Sequence, residues 1–166
     1  MSGRRAPPTK WELRQIAAVF LYLYGAHVEP LLESRTVEVE RSPTTGRIRH
    51  VYVDGKLAMT LRSSDGFLVL TPEGWRLLRA SNQPVGYAVE TTQDVAEFVS
   101  QGRNLFSKHV VKADPNILPG DDVCIVAQPT GSVIAVGRAV LPGEEMGRLK
   151  RGKAVKTRKG VKEGET

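Results

Sequence analysis

Between Ile48 and Leu61 the sequence leaves the chain little choice. Ile48–Val53 and Lys56–Leu61 are two runs rich in strand-forming residues, and only Asp54-Gly55 separates them. Asp-Gly in a two-residue connection supplies the positive φ angles of a tight hairpin, so the runs pair antiparallel with Val53 opposite Lys56. In that register Ile48, His50 and Tyr52 share a face with Leu57, Met59 and Leu61, which is predicted to be the apolar side. Arg49, Lys56 and Thr60 would show on the other. Arg35–Glu40 alternates like a further half-exposed strand, and Phe67–Leu70 reads as another.

Helices bracket this sheet. Leu13, Ile16, Ala17, Phe20 and Tyr24 recur at three- and four-residue spacing, with Gly25 as the stop. Thr71-Pro72-Glu73 joins a capping hydroxyl, a proline and an acid at a helix start. The helix over Glu73–Ser81 should turn Trp75, Leu77 and Leu78 onto the hairpin before Asn82-Gln83-Pro84 breaks it.

The pattern changes after the boundary expected at Asn82–Gly86. Tyr87–Glu90 alternates briefly, and Thr92-Gln93-Asp94 opens a short helix with Val95, Phe98 and Val99 on one face, ended by Gly102. Short strands follow at Lys108–Lys112, Asp122–Ala127, Ser132–Val140 and Lys153–Arg158, separated by turns such as Leu118-Pro119-Gly120-Asp121 and Pro129-Thr130-Gly131. Many short strands with turns between them predict a compact barrel or sandwich. Two small domains fit 166 residues better than one.

Charge is distributed unevenly. Arg148–Lys162 holds eight Lys and Arg residues and no acid; the chain has 24 basic and 18 acidic residues, so without this run 16 face 18. The whole net charge of +6 therefore resides in one short segment. Val155 and Val161 interrupt the charges at core-like intervals, which predicts a basic surface on a folded strand, suited to a polyanion, rather than a solvated tail.

Enzymatic signals are nearly absent. The sequence has no G-x-G-x-x-G, no P-loop and no G-x-S-x-G. His27, His50 and His109 lack the spacing of a metal site, and His50 reads as a hydrogen-bonded core histidine. Asp121-Asp122 would point to opposite faces of a strand, with Asp121 serving the turn, and Glu144-Glu145 follows Pro142-Gly143 as helix N-terminal charge. No catalytic residue, metal ligand or cofactor is expected. Cys124 lies in the apolar run Val123–Val126 and reads as a buried, inert thiol. Ile16–Tyr24 is far shorter than the roughly 20 residues a membrane span needs. Glu12 and Arg14 also spoil it as a signal peptide, so the chain is expected to be soluble and cytoplasmic.

One loop stands out. Gly102-Arg103-Asn104-Leu105-Phe106-Ser107-Lys108 sets two cations, an amide and an aromatic just past a helix end. Arg and Lys hold phosphates, Asn reads a base edge, and Phe stacks on an unpaired base. Leu105 and Phe106 cannot both face inward in an extended strand, so one of them is available for contact.

Taken together, Val95–Val99, Gly102–Lys108, Leu118–Val123, Ala135–Ala139 and Lys150–Lys156 resemble a PUA domain, the small pseudo-barrel RNA-binding module of pseudouridine synthases and archaeosine transglycosylases. Thr45–Tyr52, Gly55-Lys56-Leu57 and Thr60–Leu70 resemble the small α/β domain that precedes PUA in archaeosine tRNA-guanine transglycosylases. The resemblance implies an α+β protein: a helix-flanked small antiparallel sheet over residues 1–84, a PUA pseudo-β-barrel over 85–162, and a tail at 163–166. The catalytic (β/α)8 barrel of that family, with its aspartates and zinc, has no counterpart here, and Asp65 reads as a turn residue beside Gly66. What it implies is RNA binding without chemistry, with tRNA near the acceptor end as the expected ligand. Lys150, Arg151, Lys153, Lys156 and Arg158 would meet phosphates, while Arg103, Asn104, Phe106 and Lys108 meet the unpaired end. Two roles are implied: an accessory to a separate catalytic transglycosylase subunit, docking through Trp11, Phe20 or Tyr22, or a free-standing PUA protein binding other structured RNA in translation or ribosome biogenesis.

Overall fold

The structure is a computed structural model that describes residues 4–81 and 86–163. The chain divides into two compact units, Met1–Val85 and Gly86–Thr166. The expected helix break at Asn82-Gln83-Pro84 lies outside the described residues, as do the last three positions of the expected tail.

The first unit is a five-stranded antiparallel sheet in the order β1-β2-β3-β4-β5, made of Arg5–Ala6, Val37–Arg41, Ile48–Val53, Lys56–Leu61 and Leu68–Leu70. Helix α1, Lys10–Tyr24, begins in a capping box: the Glu12 N–H donates to Thr9 Oγ1 (3.1 Å) and the Thr9 N–H to Glu12 Oε1 (2.8 Å). It ends at Gly25 in the left-handed region, φ 68°. After the short helix α2, Glu29–Glu33, and the four longer strands, α3 spans Pro72–Ala80. Its cap is Thr71, whose Oγ1 accepts from the Gly74 N–H (3.1 Å) and donates to Leu57 O (2.7 Å), tying the helix start to β4.

The hairpin turn forms as expected, with Val53 opposite Lys56, but its core face is the opposite one. Val51 and Val53 are buried together with Val37 and Val39, while Ile48, His50 and Tyr52 are only half-buried. The register shifts so that Val51 faces Met59 while Tyr52 faces Leu57, leaving Ala58 as an extra residue. That bulge carries Met59 onto the buried side together with Ala58, and leaves Leu57 on the other. Ile16, Phe20 and Tyr24 of α1 and Trp75 and Leu78 of α3 complete this core. Tyr24 and Trp75 meet edge to face at 5.6 Å, and the Tyr24 hydroxyl donates to Leu68 O (2.8 Å). Phe20, expected as a docking residue, is therefore core; Trp11 and Tyr22, at 75% and 81% exposure, remain on the solvent side. His50 is no core histidine: it lies on the outer face with Nδ1 2.9 Å from Glu40 Oε1.

The second unit curls six strands, in the order β7-β11-β10-β9-β6-β8, into a nearly closed barrel. They are Ala88–Thr91 (β6), Leu105–Phe106 (β7), Val110–Ala113 (β8), Asp122–Ala127 (β9), Ser132–Ala139 (β10) and Lys153–Gly160 (β11). β6 runs parallel to β9; all other pairs are antiparallel. Val89, Val99, Leu105, Ile117, Ile125 and Val155 lie at the centre of the core, and Cys124 is buried. Helix α4, Gln93–Ser100, buries Ala96 and Val99, but Phe98 is 56% exposed. In so short a helix the apolar stripe is too narrow to seat Phe98 beside Val99. Ser107–His109 forms a 3-10 turn instead of starting a strand, and Glu144 and Glu145 lie in turns rather than at a helix start. Among the described residues no helix is long and apolar enough to cross a membrane.

Two outcomes follow from the first unit's packing. Trp75→Ala should lower stability by about 3–5 kcal/mol, measured by urea unfolding, because no neighbour can fill the space of a fully buried indole. Burial works against the Glu12 carboxylate, but hydrogen bonds from Arg41 and the Thr9 N–H outweigh it and hold its pKa below the ordinary glutamate value. The stability it contributes is present above its unfolded-state pKa and is lost as pH falls through the lowered one. Glu12→Gln should therefore destabilise the protein at neutral pH and flatten the acid limb of a stability–pH curve.

Candidate nucleic-acid interface

The second unit brings together the two sequence segments expected to meet a ligand. Helix α4 ends with the Gly102 N–H donating to Val99 O (2.9 Å), and Gly102 takes φ 102°, which swings the chain towards β7. β7 then pairs with the start of β11, Phe106 opposite Lys153 and Leu105 opposite Val155. Three further bonds fix the loop. The Ser107 N–H donates to Gly152 O (2.9 Å), the Gly147 N–H donates to the buried Ser107 Oγ (3.1 Å), and the Thr157 N–H donates to Asn104 Oδ1 (3.0 Å). Segments about fifty residues apart are thus joined at both ends of the loop.

The pair Leu105-Phe106 divides as extended geometry demands: Leu105 is 1% exposed and Phe106 44%. Across the sheet the Val140 N–H donates to Ala154 O (2.8 Å), so exposed Val140 flanks the start of β11 on the side opposite Phe106. Leu149, also exposed, lies in the turn leading into β11. Apolar surface therefore adjoins the cations. Neither Val140 nor Leu149 was singled out by sequence, since Val140 reads as the end of a strand and Leu149 as one apolar residue inside the basic run.

Charges around this row differ in availability. Arg103, Lys108, Lys150, Arg151, Lys153 and Lys156 are exposed and make no ion pair among the described residues. Arg158 is paired with the Asp122 carboxylate on β9, with one contact at 3.3 Å. Lys162 is held by Glu97 at 2.6 Å, and that lysine keeps the Glu97 carboxyl below its ordinary pKa. Asn104 is half-buried, and the carbonyl that could accept from a base edge is committed to the Thr157 amide. Sequence reasoning missed Arg138. On β10 it stands exposed between Asp122 on β9 and Lys156 on β11, and only the strand register reveals that position.

The arrangement can do two things chemically. Six unpaired cations can neutralise phosphates without first giving up an internal partner. An exposed phenyl ring with apolar neighbours can receive an unstacked base. Among the described residues no group of three or more His, Cys, Asp or Glu side chains converges as a metal site.

Comparison with known proteins agrees with this division. Residues 14–84 match the patch-forming domain C2 of tRNA-guanine transglycosylase, and residues 87–161 match the PUA domain. The tRNA-guanine(15) transglycosylase of Methanothermobacter thermautotrophicus is 38% identical over 149 residues, covering 90% of this chain and 23% of that protein. The chain thus spans about a quarter of the length of the curated relatives it matches. Among solved structures, a PUA domain from Aeropyrum pernix superposes with a TM-score of 0.76 at 19% identity, over 97% of this chain and 88% of that one. A PUA domain protein from Thermoplasma acidophilum does so with a TM-score of 0.73 at 22% identity, over 97% and 96%.

The Ser107 hydroxyl anchors the loop to the turn before β11. Ser107→Ala should cost about 1 kcal/mol by thermal unfolding. It should also speed hydrogen exchange at the Gly147 amide, while amides in the first unit keep their wild-type rates.

Proposed function

We propose that this chain, a C2 domain of the tRNA-guanine transglycosylase kind followed by a PUA domain, is an RNA-binding protein whose ligand is tRNA near the acceptor end. The observation that carries this reading is the joining of the Gly102–Lys108 loop to the basic strand β11, with Phe106 opposite Lys153. We take residues 1–84 and 85–162 as its two functional units, acting in the cytoplasm.

In this reading Lys150, Arg151, Lys153 and Lys156 hold backbone phosphates, and Arg138 extends their line onto β10. Phe106 receives an unpaired base, and Arg103 and Lys108 grip the phosphates beside it. Asn104 acts mainly by positioning the loop, and Arg158 joins the RNA only by leaving Asp122. The chain performs no base exchange itself. Its biological role is that of a non-catalytic accessory in archaeosine-type tRNA modification, delivering tRNA to a separate catalytic transglycosylase subunit. Similarity over about a quarter of the length of tRNA-guanine(15) transglycosylases supports this role, and Trp11 and Tyr22 on α1 offer a docking surface for that subunit. A second reading is a free-standing protein that binds other structured RNA; the match to a PUA domain over residues 87–161 supports RNA binding in either case.

The test is binding of the full chain to tRNA with and without its single-stranded 3′ end, across a salt titration. Affinity should fall steeply with salt and should drop when the 3′ end is removed. Phe106→Ala should erase most of that difference, at a cost of about tenfold in affinity. Equal binding to both RNAs would overturn acceptor-end recognition, and no binding would overturn the RNA reading itself. For the accessory role, the chain should restore base exchange to a transglycosylase from which the matching quarter has been removed; failure to do so favours the second reading.

A further inference from the structure

The first unit holds a concentration of arginine that its fold does not use. Two turns of one design stand at the same end of its sheet. In Ser42–Arg47 the Ser42 N–H donates to Arg47 O (2.8 Å) and the Gly46 N–H to Ser42 O (2.9 Å). In Arg62–Phe67 the same bonds recur, from the Arg62 N–H to Phe67 O (2.9 Å) and from the Gly66 N–H to Arg62 O (2.8 Å). Both glycines are left-handed, with φ of 73° and 74°. Between these turns and one flank of α1 lies a cleft of about 590 Å³.

Arg47, Arg49 and Arg62 line it. Asp65 orients Arg62 through two bonds of 2.8 and 3.3 Å. Arg47 and Arg49 are exposed and make no ion pair among the described residues. The carboxylate on the described wall, Glu12, already serves Arg41. Arg49 owes its place to a bulge: Glu40 faces His50 and Arg41 faces Ile48, which leaves Arg49 without a partner on β2. It lines the cleft together with Ile16 and Val19 of α1. With Glu12 engaged by Arg41, the charges of Arg47 and Arg49 are matched by no carboxylate among the described residues. A concave wall focuses the field of such charges, and the guanidinium fork suits phosphate oxygens.

We infer that this cleft is a second anion site, built for a phosphate group, and that its occupant is a backbone phosphate of the bound RNA. The occupant rests on the RNA-binding reading above; the site does not. The test compares three double variants of the full chain. Arg47→Gln with Arg49→Gln empties the cleft, Arg151→Gln with Lys153→Gln weakens the second unit, and Lys10→Gln with Arg79→Gln removes the same charge from elsewhere on the first unit. The readout is the slope of log affinity for tRNA against log salt. The cleft pair should shrink that slope by about 1, since one lost phosphate contact is worth about 0.7–0.9, while the Lys10/Arg79 pair leaves it near wild type.

If only the second-unit pair shrinks the slope, RNA binding stands and the cleft inference falls. If only the cleft pair does, the inference stands and the proposed interface on the second unit falls. A wild-type chain that binds no RNA moves the decision to titration with inorganic phosphate, followed by NMR of the arginine side chains. Saturable shifts at Arg47 and Arg49, absent from the Arg47/Arg49 variant, would keep the cleft as a site for a free phosphate. Flat titration would overturn it.

Discussion

Everything the second unit presents to a ligand depends on β11 lying inside the sheet. Four of its eight residues are Lys or Arg, yet it is bonded to β10 on one edge and to β7 on the other. Such a strand is tolerated only where its remaining positions pack closely. Ala154 and Val155 are fully buried, and Gly160 sits so near the Ser100 carbonyl that a Cβ there would overlap it. Close backbone approach at the far end and apolar burial at the near end fix the strand between them. The cations consequently stand on backbone that is already ordered, and binding has only their side chains left to immobilise.

Ion pairing then sorts the cations. Arg158 and Lys162, towards the end of the basic segment, are matched by Asp122 and Glu97. Those at its start, from Lys150 to Lys156, are unmatched. The contrast matters because a cation with an internal partner must exchange one anion for another, while an unmatched one gains the whole interaction. A net charge of +6 alone does not say which cations are already matched; the pairing pattern does, and it leaves Lys159 as well as Lys150 to Lys156 without an ion pair among the described residues.

How much of this was legible in the sequence depends on how local each signal is. Asp54-Gly55, Thr9 with Glu12, and Thr71-Pro72 act within four residues, and each produces the turn or cap that its chemistry requires. The hairpin's core face was not legible. Both faces of Ile48–Val53 carry apolar side chains, and the choice is made by α1 and α3 packing from outside together with the bulge at Ala58. Phe98 misled for a related reason: eight residues of helix give too little periodicity to separate a core position from its neighbour. In the candidate site, charge density and resemblance pointed to two segments that the fold pairs side by side. The role of Asn104 was hidden because its partner, Thr157, lies 53 residues away, and Arg138 because strand register is a property of the assembled sheet.

The same geometry bears on how specificity could arise. Contacts to phosphate fix a register but carry no sequence information. Asn104 is the amide of the loop suited to reading an adenine edge, and its carbonyl oxygen already accepts from the Thr157 amide. The Gly102–Lys108 loop thus has one of its base-reading acceptors already engaged. What it does offer is an exposed ring at Phe106, with Val140 across the start of β11 and unmatched cations on the intervening strand. A ring stacks on any base, but only on one already released from its own stack. In the proposed reading, such a surface would favour an unpaired end over a duplex rather than one sequence over another. In that reading, any preference among RNAs that share such an end would come from shape, through the spacing of the phosphates that the cations of the second unit meet.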